Sequence, residues 1–197
     1  MADSKEAIRK MLLAEGPYDN QGAISDPGGE TVWGVDYANN HDPNDIITTA
    51  LWKRMDELRT IPYFPLSVAK DFQINLLVNQ YYERLWKQMG LNDMADQAFA
   101  NAVFGAYHNQ GPKVIKWLQQ CLNALNNKLW PLDLKEDGLI GNSTIERVNK
   151  LLSNEDGAYL VDAFASSRKV GIISSGEKFP GRRINTRGLF NRINQGE

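Results

Sequence analysis

The 197-residue chain has one cysteine, Cys121, and two histidines, His41 and His108. A disulfide framework is excluded, because Cys121 has no partner in the chain. A zinc cluster is excluded as well, since one thiol and two distant imidazoles do not make a ligand set. No run of about 18 apolar residues occurs, so no segment reads as crossing a membrane. The chain starts Met-Ala-Asp-Ser-Lys-Glu with no apolar signal segment behind it. The expectation is synthesis in the cytoplasm, no membrane insertion, and a separate exit route for any role outside.

What remains is an ordinary globular composition: 42% hydrophobic, 23% charged and 10% aromatic. The length suits a single domain or a domain with an appendage, and a core of useful size without staples. The net charge of −2 hides an asymmetry. Residues 1–100 carry 9 Lys/Arg against 15 Asp/Glu, a net of −6, and residues 101–197 carry 13 against 9, a net of +4. Arg168, Lys169, Lys178, Arg182, Arg183, Arg187 and Arg192 give the end of the chain its basic character. Such an end suits an anionic polymer, nucleic acid or cell wall, but its plainer reading is a solvated surface. No aromatic-interleaved basic motif supports a nucleic-acid partner.

Hydrophobic periodicity predicts a mainly α fold. Residues 4–15 form a first helix capped by Asp3, with Ile8, Met11, Leu12 and Glu15 on one face. Gly16-Pro17 ends it. Residues 16–31 are rich in Gly and Pro and read as a long loop, and a β element is expected at 31–35. Helices follow from Asp42-Pro43 to about Leu58, with Ile46, Ile47, Leu51 and Met55 inward, and from Leu66 to Met89. The second turns Val68, Phe72, Leu76, Tyr82, Leu85 and Trp86 inward, and Gly90 stops it. Asp93 is expected to cap the next helix, Gly111-Pro112 to open another, and Ser143-Thr-Ile-Glu146 to act as a capping box. A last long helix is expected over residues 155–168, with loop or extended chain over 174–187.

Three groups compete as a site. Glu15 at a helix end on an apolar face would have its pKa raised by burial, as a general acid at neutral pH requires. A second carboxylate among Asp19, Asp26 and Glu30 would complete the pair used in glycosidic cleavage, with Thr31 able to hold a water. On spacing alone the plainer reading is a solvent-facing helix end followed by a turn. Tyr107-His108-Asn109 at a helix end is a second group, where the histidine complements the helix dipole equally well. Asp137-Gly138-Leu139-Ile140-Gly141 is the third. It lacks the alternating acidic ligands of a calcium loop and reads as a turn into a helix cap.

Glu15-Gly-Pro-Tyr18, then Asp26-Pro-Gly-Gly-Glu-Thr31-Val-Trp-Gly34-Val35, resembles the signature of the glycoside hydrolase family 108 muramidases: Glu-Gly-Gly-Tyr, Asp-Pro-Gly-Gly-x-Thr, Gly-Ile. The family's members look like phage endolysins and bacterial proteins once labelled secretion activators. Val103-Phe104 through Asn109-x-Gly111, Trp117-Leu-Gln119, Asp137-Gly-x-Ile-Gly141-x-x-Thr144 and Gly188-Leu-Phe-Asn-Arg192-Ile continue the match through a helical peptidoglycan-binding region. The resemblance implies a lysozyme-like helical fold. It also implies a catalytic region over 1–92 and a peptidoglycan-binding-like region over 93–197, packed as one compact unit.

The activity implied is cleavage of the β-1,4 bond between N-acetylmuramic acid and N-acetylglucosamine. Glu15 carries over as catalytic acid, and Asp26 and Thr31, by analogy with phage-type lysozymes, as the residues that position water. Tyr18, Trp33, Tyr107 and Asn109 are candidate subsite residues, since aromatic faces stack on sugars and amides pair with N-acetyl groups. No metal or organic cofactor is implied. The partner is the peptidoglycan glycan strand, a monomer is expected, and the protein would reach the wall by a holin-type or dedicated secretion route. Two departures stand out: Pro17 replaces the second glycine of the first motif, and Gly105 stands where the family often has Asp. They keep open a non-catalytic glycan-binding protein; a related chitosanase or transglycosylase is the nearer alternative.

Overall fold

A computed structural model describes residues 1–20, 29–178 and 186–194. The chain forms two compact units, residues 5–85 in one, and residues 1–4 with 86–197 in the other. The described residues are mainly helical, as the periodicity predicts, with one two-stranded hairpin. No described helix is long and apolar enough to cross a membrane.

The first unit holds α1 (Ser4–Glu15), β1 (Thr31–Val32), β2 (Val35–Asp36), α2 (Ile46–Arg59) and most of α3 (Phe72–Gln88). Helix α1 ends where expected, and Gly16 takes the left-handed conformation at φ +74° that closes a helix. Pro17 follows a helix that has already stopped, so its fixed φ and missing N–H disturb nothing. Strands β1 and β2 pair antiparallel across Trp33 and Gly34, with φ 49° and 79°. Positive φ at both central residues is the turn that matches strand twist in a two-residue hairpin.

Helix α2 starts three residues later than Asp42-Pro43 suggested. Asp45 is its N-cap, accepting from the N–H groups of Ile47 and Thr48, while Asp42 accepts from Asn44 N at 2.9 Å in a preceding turn. Ile46, Phe72 and Leu76 are exposed, though all three were expected inward. The buried stripe of α3 is Ile74, Val78, Tyr82 and Trp86, at a strict spacing of four. Helix α3 begins only at Phe72, because a short 3₁₀ turn at Val68–Lys70 precedes it and shifts the face.

The second unit packs α4 (Gln97–Gln110), α5 (Lys113–Ala124), α6 (Asn142–Leu152), α7 (Gly157–Lys178) and α8 (Thr186–Asn194). Helix α7 touches each of the other four. The cap of α4 is Asp96, not Asp93, which belongs to a 3₁₀ turn over Leu91–Asp93. Helix α6 starts at Asn142 behind Gly141, with no side-chain cap, so the capping box at Ser143 does not form. Residues 174–178, expected as loop, continue α7, and α8 begins at Thr186. Gly171 and Gly176 are buried there, so the small residues that signal a loop serve close helix packing instead. Residues 179–185 lie outside the described residues.

Arg168 departs from the solvated surface read for the basic residues at the end of the chain. It is 3% exposed, and burial lowers its pKa to about 10. It is held against the end of α4: Gln110 Nε2 donates to its carbonyl at 3.0 Å, and its Nε donates to Gln110 Oε1 at 3.3 Å.

Candidate active site

Glu15 is the last residue of α1 and is half-buried, less enclosed than its place on an apolar face suggested. What fixes its surroundings is the chain just after it. Residues 17–19 run antiparallel along β1. Trp33 N donates to the Pro17 carbonyl at 3.3 Å, Asp19 N to Thr31 O at 3.1 Å, and Thr31 N to Asp19 O at 2.8 Å. The segment behaves as a short third strand, joined to the hairpin by the Asp19–Thr31 bridge.

Strand alternation then sorts the side chains into two faces. Thr31 lies opposite both Asp19 and Asp36. Val32 and Val35, paired with each other, are fully buried on the other face. Tyr18 and Glu30 each precede a bridged residue and fall on that inner face.

Beneath the hairpin lies Tyr82 of α3, fully buried, whose hydroxyl donates to the Trp33 carbonyl at 2.7 Å. Its phenol pKa is raised well above the ordinary value, first by burial and then by the negative charges of Glu15, Tyr81 and Asp36. Tyr82 is thereby neutral, and Glu15 and Asp36 both lie within electrostatic reach of it. Asp36 itself accepts from Asn39 N at 2.8 Å, Asn39 Nδ2 at 2.7 Å and Asn40 Nδ2 at 3.2 Å. Asn40 also accepts from Tyr81 Oη at 2.8 Å and, through its carbonyl, from Trp52 Nε1 at 3.0 Å. This polar knot ties the exit of β2 to α2 and α3.

Of the residues expected from sequence, Glu15, Tyr18, Thr31 and Trp33 gather around this hairpin. Asp26 lies outside the described residues. Tyr107 and Asn109 stand on α4 in the other unit. Tyr107 is half-buried. Asn109 is exposed, donating from Nδ2 to the Gly105 carbonyl at 2.9 Å and accepting from Arg192 Nη1 at 3.4 Å. Among the described residues no group of three His, Cys, Asp or Glu could hold a metal ion. Tyr82 and Asn40 were not legible as site residues. Tyr82 reads as core from its spacing, and nothing in a sequence announces that a core hydroxyl reaches a strand carbonyl.

The fold is mainly helical and lysozyme-like with one small hairpin, and the chain is a glycoside hydrolase. The glycosyl hydrolase 108 family model matches residues 8–111, more than half of the chain, and the chain belongs to that family. No curated protein matches it. Among solved structures, Brucella abortus SagA has the same fold, at a TM-score of 0.55 and 18% identity, over 96% of this chain and 92% of that one.

Proposed function

We propose that the protein is a peptidoglycan hydrolase of the N-acetylmuramidase type, with Glu15 as general acid. The observation that carries the reading is the placement of Glu15. It closes α1, leads through residues 17–19 into the backbone pairing with Thr31, and lies within electrostatic reach of the buried Tyr82. The protonated Glu15 donates to the glycosidic oxygen as the bond to the anomeric carbon breaks. A water then attacks the opposite face of the sugar. Thr31 aligns that water, and Asp26, assigned from the sequence motif alone, takes its proton. This order of events inverts the anomer, for which two carboxyl groups stand about 6.5–9.5 Å apart. Tyr18 and Trp33 supply aromatic surface to the sugar rings, and Tyr107 and Asn109 are proposed as further contacts. The substrate belongs to the cell wall, which the chain reaches by a holin-type or dedicated secretion route.

The test is digestion of purified peptidoglycan by the wild type and Glu15→Gln, with fragments identified by mass and reducing end. Soluble fragments ending in reducing N-acetylmuramic acid are expected from the wild type. Loss of the acid is expected to slow their release about 10²–10⁴-fold. Equal activity of the variant removes Glu15 from the role. Binding without cleavage by the wild type favours a glycan-binding protein, and products with an anhydro end a transglycosylase.

A further inference from the structure

The inner face of the hairpin carries a charged side chain that a purely structural reading leaves unexplained. The side chain of Glu30 is 14% exposed. Its Oε2 pairs with the Arg59 guanidinium from the last turn of α2, which also pairs with Asp56, and its Oε1 is buried without a hydrogen bond among the described residues. An orphaned oxygen on a buried carboxylate costs stability, so its retention calls for a reason other than folding. Glu30 is also fixed by its backbone, whose carbonyl accepts from Tyr37 N at 2.9 Å. Facing it is Tyr18, whose ring meets Phe64 edge-on at 5.1 Å. The Tyr18 phenol pKa is raised by burial, then by the charge of Glu30.

We propose that Glu30 is a positioning residue for the glycosidic cleavage. Ion-paired to Arg59 and facing Tyr18, it holds residues 17–19 against β1, and so sets where Glu15 and Thr31 stand toward a bound glycan. The geometry is direct. Tyr18 lies three residues beyond Glu15, and Glu30 lies one residue before Thr31, so the Tyr18–Glu30 contact spans the same neck as the Asp19–Thr31 bridge. Arg59 ties that neck to α2, and through it the two proposed reacting positions share one rigid support. The proposal rests on the hydrolase reading above. A small displacement of a reacting group is enough to lower a rate steeply, because the attack geometry is narrow.

The experiment compares wild type, Glu30→Gln, Arg59→Gln and the double variant on soluble glycan strands released from purified peptidoglycan. Thermal midpoint, kcat and KM are measured for each. Glu30→Gln is expected to lower kcat about 10-fold or more with KM within about twofold. Arg59→Gln strands the buried charge of Glu30 and lowers the thermal midpoint, whereas Glu30→Gln leaves Arg59 paired with Asp56. The double variant, carrying no stranded charge, is expected to regain the midpoint but not kcat. Regain of both would make the pair structural only, and unchanged kcat in Glu30→Gln would overturn the proposal outright. Ultraviolet titration of tyrosine, with Tyr18→Phe to assign the signal, gives a readout that needs no turnover. The Tyr18 phenol is expected to ionise at lower pH in Glu30→Gln, and an unmoved signal would refute the contact itself. A wild type that cleaves no glycan brings down the hydrolase reading and the positioning role together; a wild type that cleaves, with kcat intact in Glu30→Gln, brings down the second alone.

Discussion

Gly16 decides how the proposed acid leaves its helix. Its φ of +74° is a conformation that a side chain disfavours, and a Cβ built there meets nothing within 4 Å. The cost of Gly16→Ala is therefore backbone strain alone, about 1 kcal/mol. A variant with normal helix content and a urea midpoint lowered by that amount is expected, with Gly16→Asn lying between it and the wild type, because Asn tolerates the left-handed region better. Equal stability of all three would mean that the helix end had rebuilt itself. At this scale the sequence was most readable where a residue acts alone. Gly16 as a stop and Glu15 as the last residue of α1 follow from spacing and breaker chemistry. Glu30 was visible only as one carboxylate among several, because its meaning depends on Arg59, 29 residues away.

Elements were legible in kind and blurred at their edges. Seven of the eight described helices were foreseen near their observed places, all but α8; the errors at their edges fall where a tertiary contact chooses among equivalent local signals. Asp42, Asp45, Asp93 and Asp96 are all competent caps, and packing selected Asp45 and Asp96. Asp45 was selected because it also meets Arg84 of α3, with Nη1 at 2.7 Å and Nη2 at 2.6 Å. This fork joins the start of α2 to α3, and the hydrogen bond from Arg84 is the main reason that the Asp45 pKa falls from 3.8 to about 2. A carboxylate whose pKa is depressed on folding adds stability above its unfolded pKa, and that stability disappears as pH falls through the folded value. The contribution is thus whole at pH 7 and fades between about 4 and 2. Asp45→Asn keeps an acceptor at the cap and loses the ion pair. It is expected to cost about 1–2 kcal/mol at pH 7, allowing for solvent screening, and progressively less below pH 4. Urea unfolding of both proteins at pH 7 and pH 3 checks this, and a difference that does not shrink with acid would assign the loss to the cap.

Across the whole molecule, the second unit turns on α7, and one residue pair shows how closely. A Cβ on Gly171 would lie 2.0 Å from Cη2 of Trp117, so the indole of α5 rests on bare backbone. The ring is half-buried, with the Lys113 ammonium 5.5 Å from its centre. Trp117-Leu-Gln119 looked in the sequence like a motif, and packing gives it a cause. Trp117 sets the α5–α7 approach, while buried Gln119 clasps the Asp137 loop, donating to Asp137 Oδ1 and the Leu139 carbonyl at 2.9 Å each and accepting from Gly138 N at 2.9 Å. Neither partner was readable from spacing, since Gly171 lies 54 positions from Trp117 and looks like a helix breaker. Gly171→Ala forces the indole to move, and overpacking of this kind costs about 1–3 kcal/mol despite the gain in helix propensity. A lower thermal midpoint is expected together with a red-shifted tryptophan emission, as the ring is driven toward water. Adding Trp117→Leu should return most of the stability by making room for the new methyl. If Gly171→Ala were instead stabilising, the α5–α7 contact would have slack, and α7 would not be the element on which the unit is built.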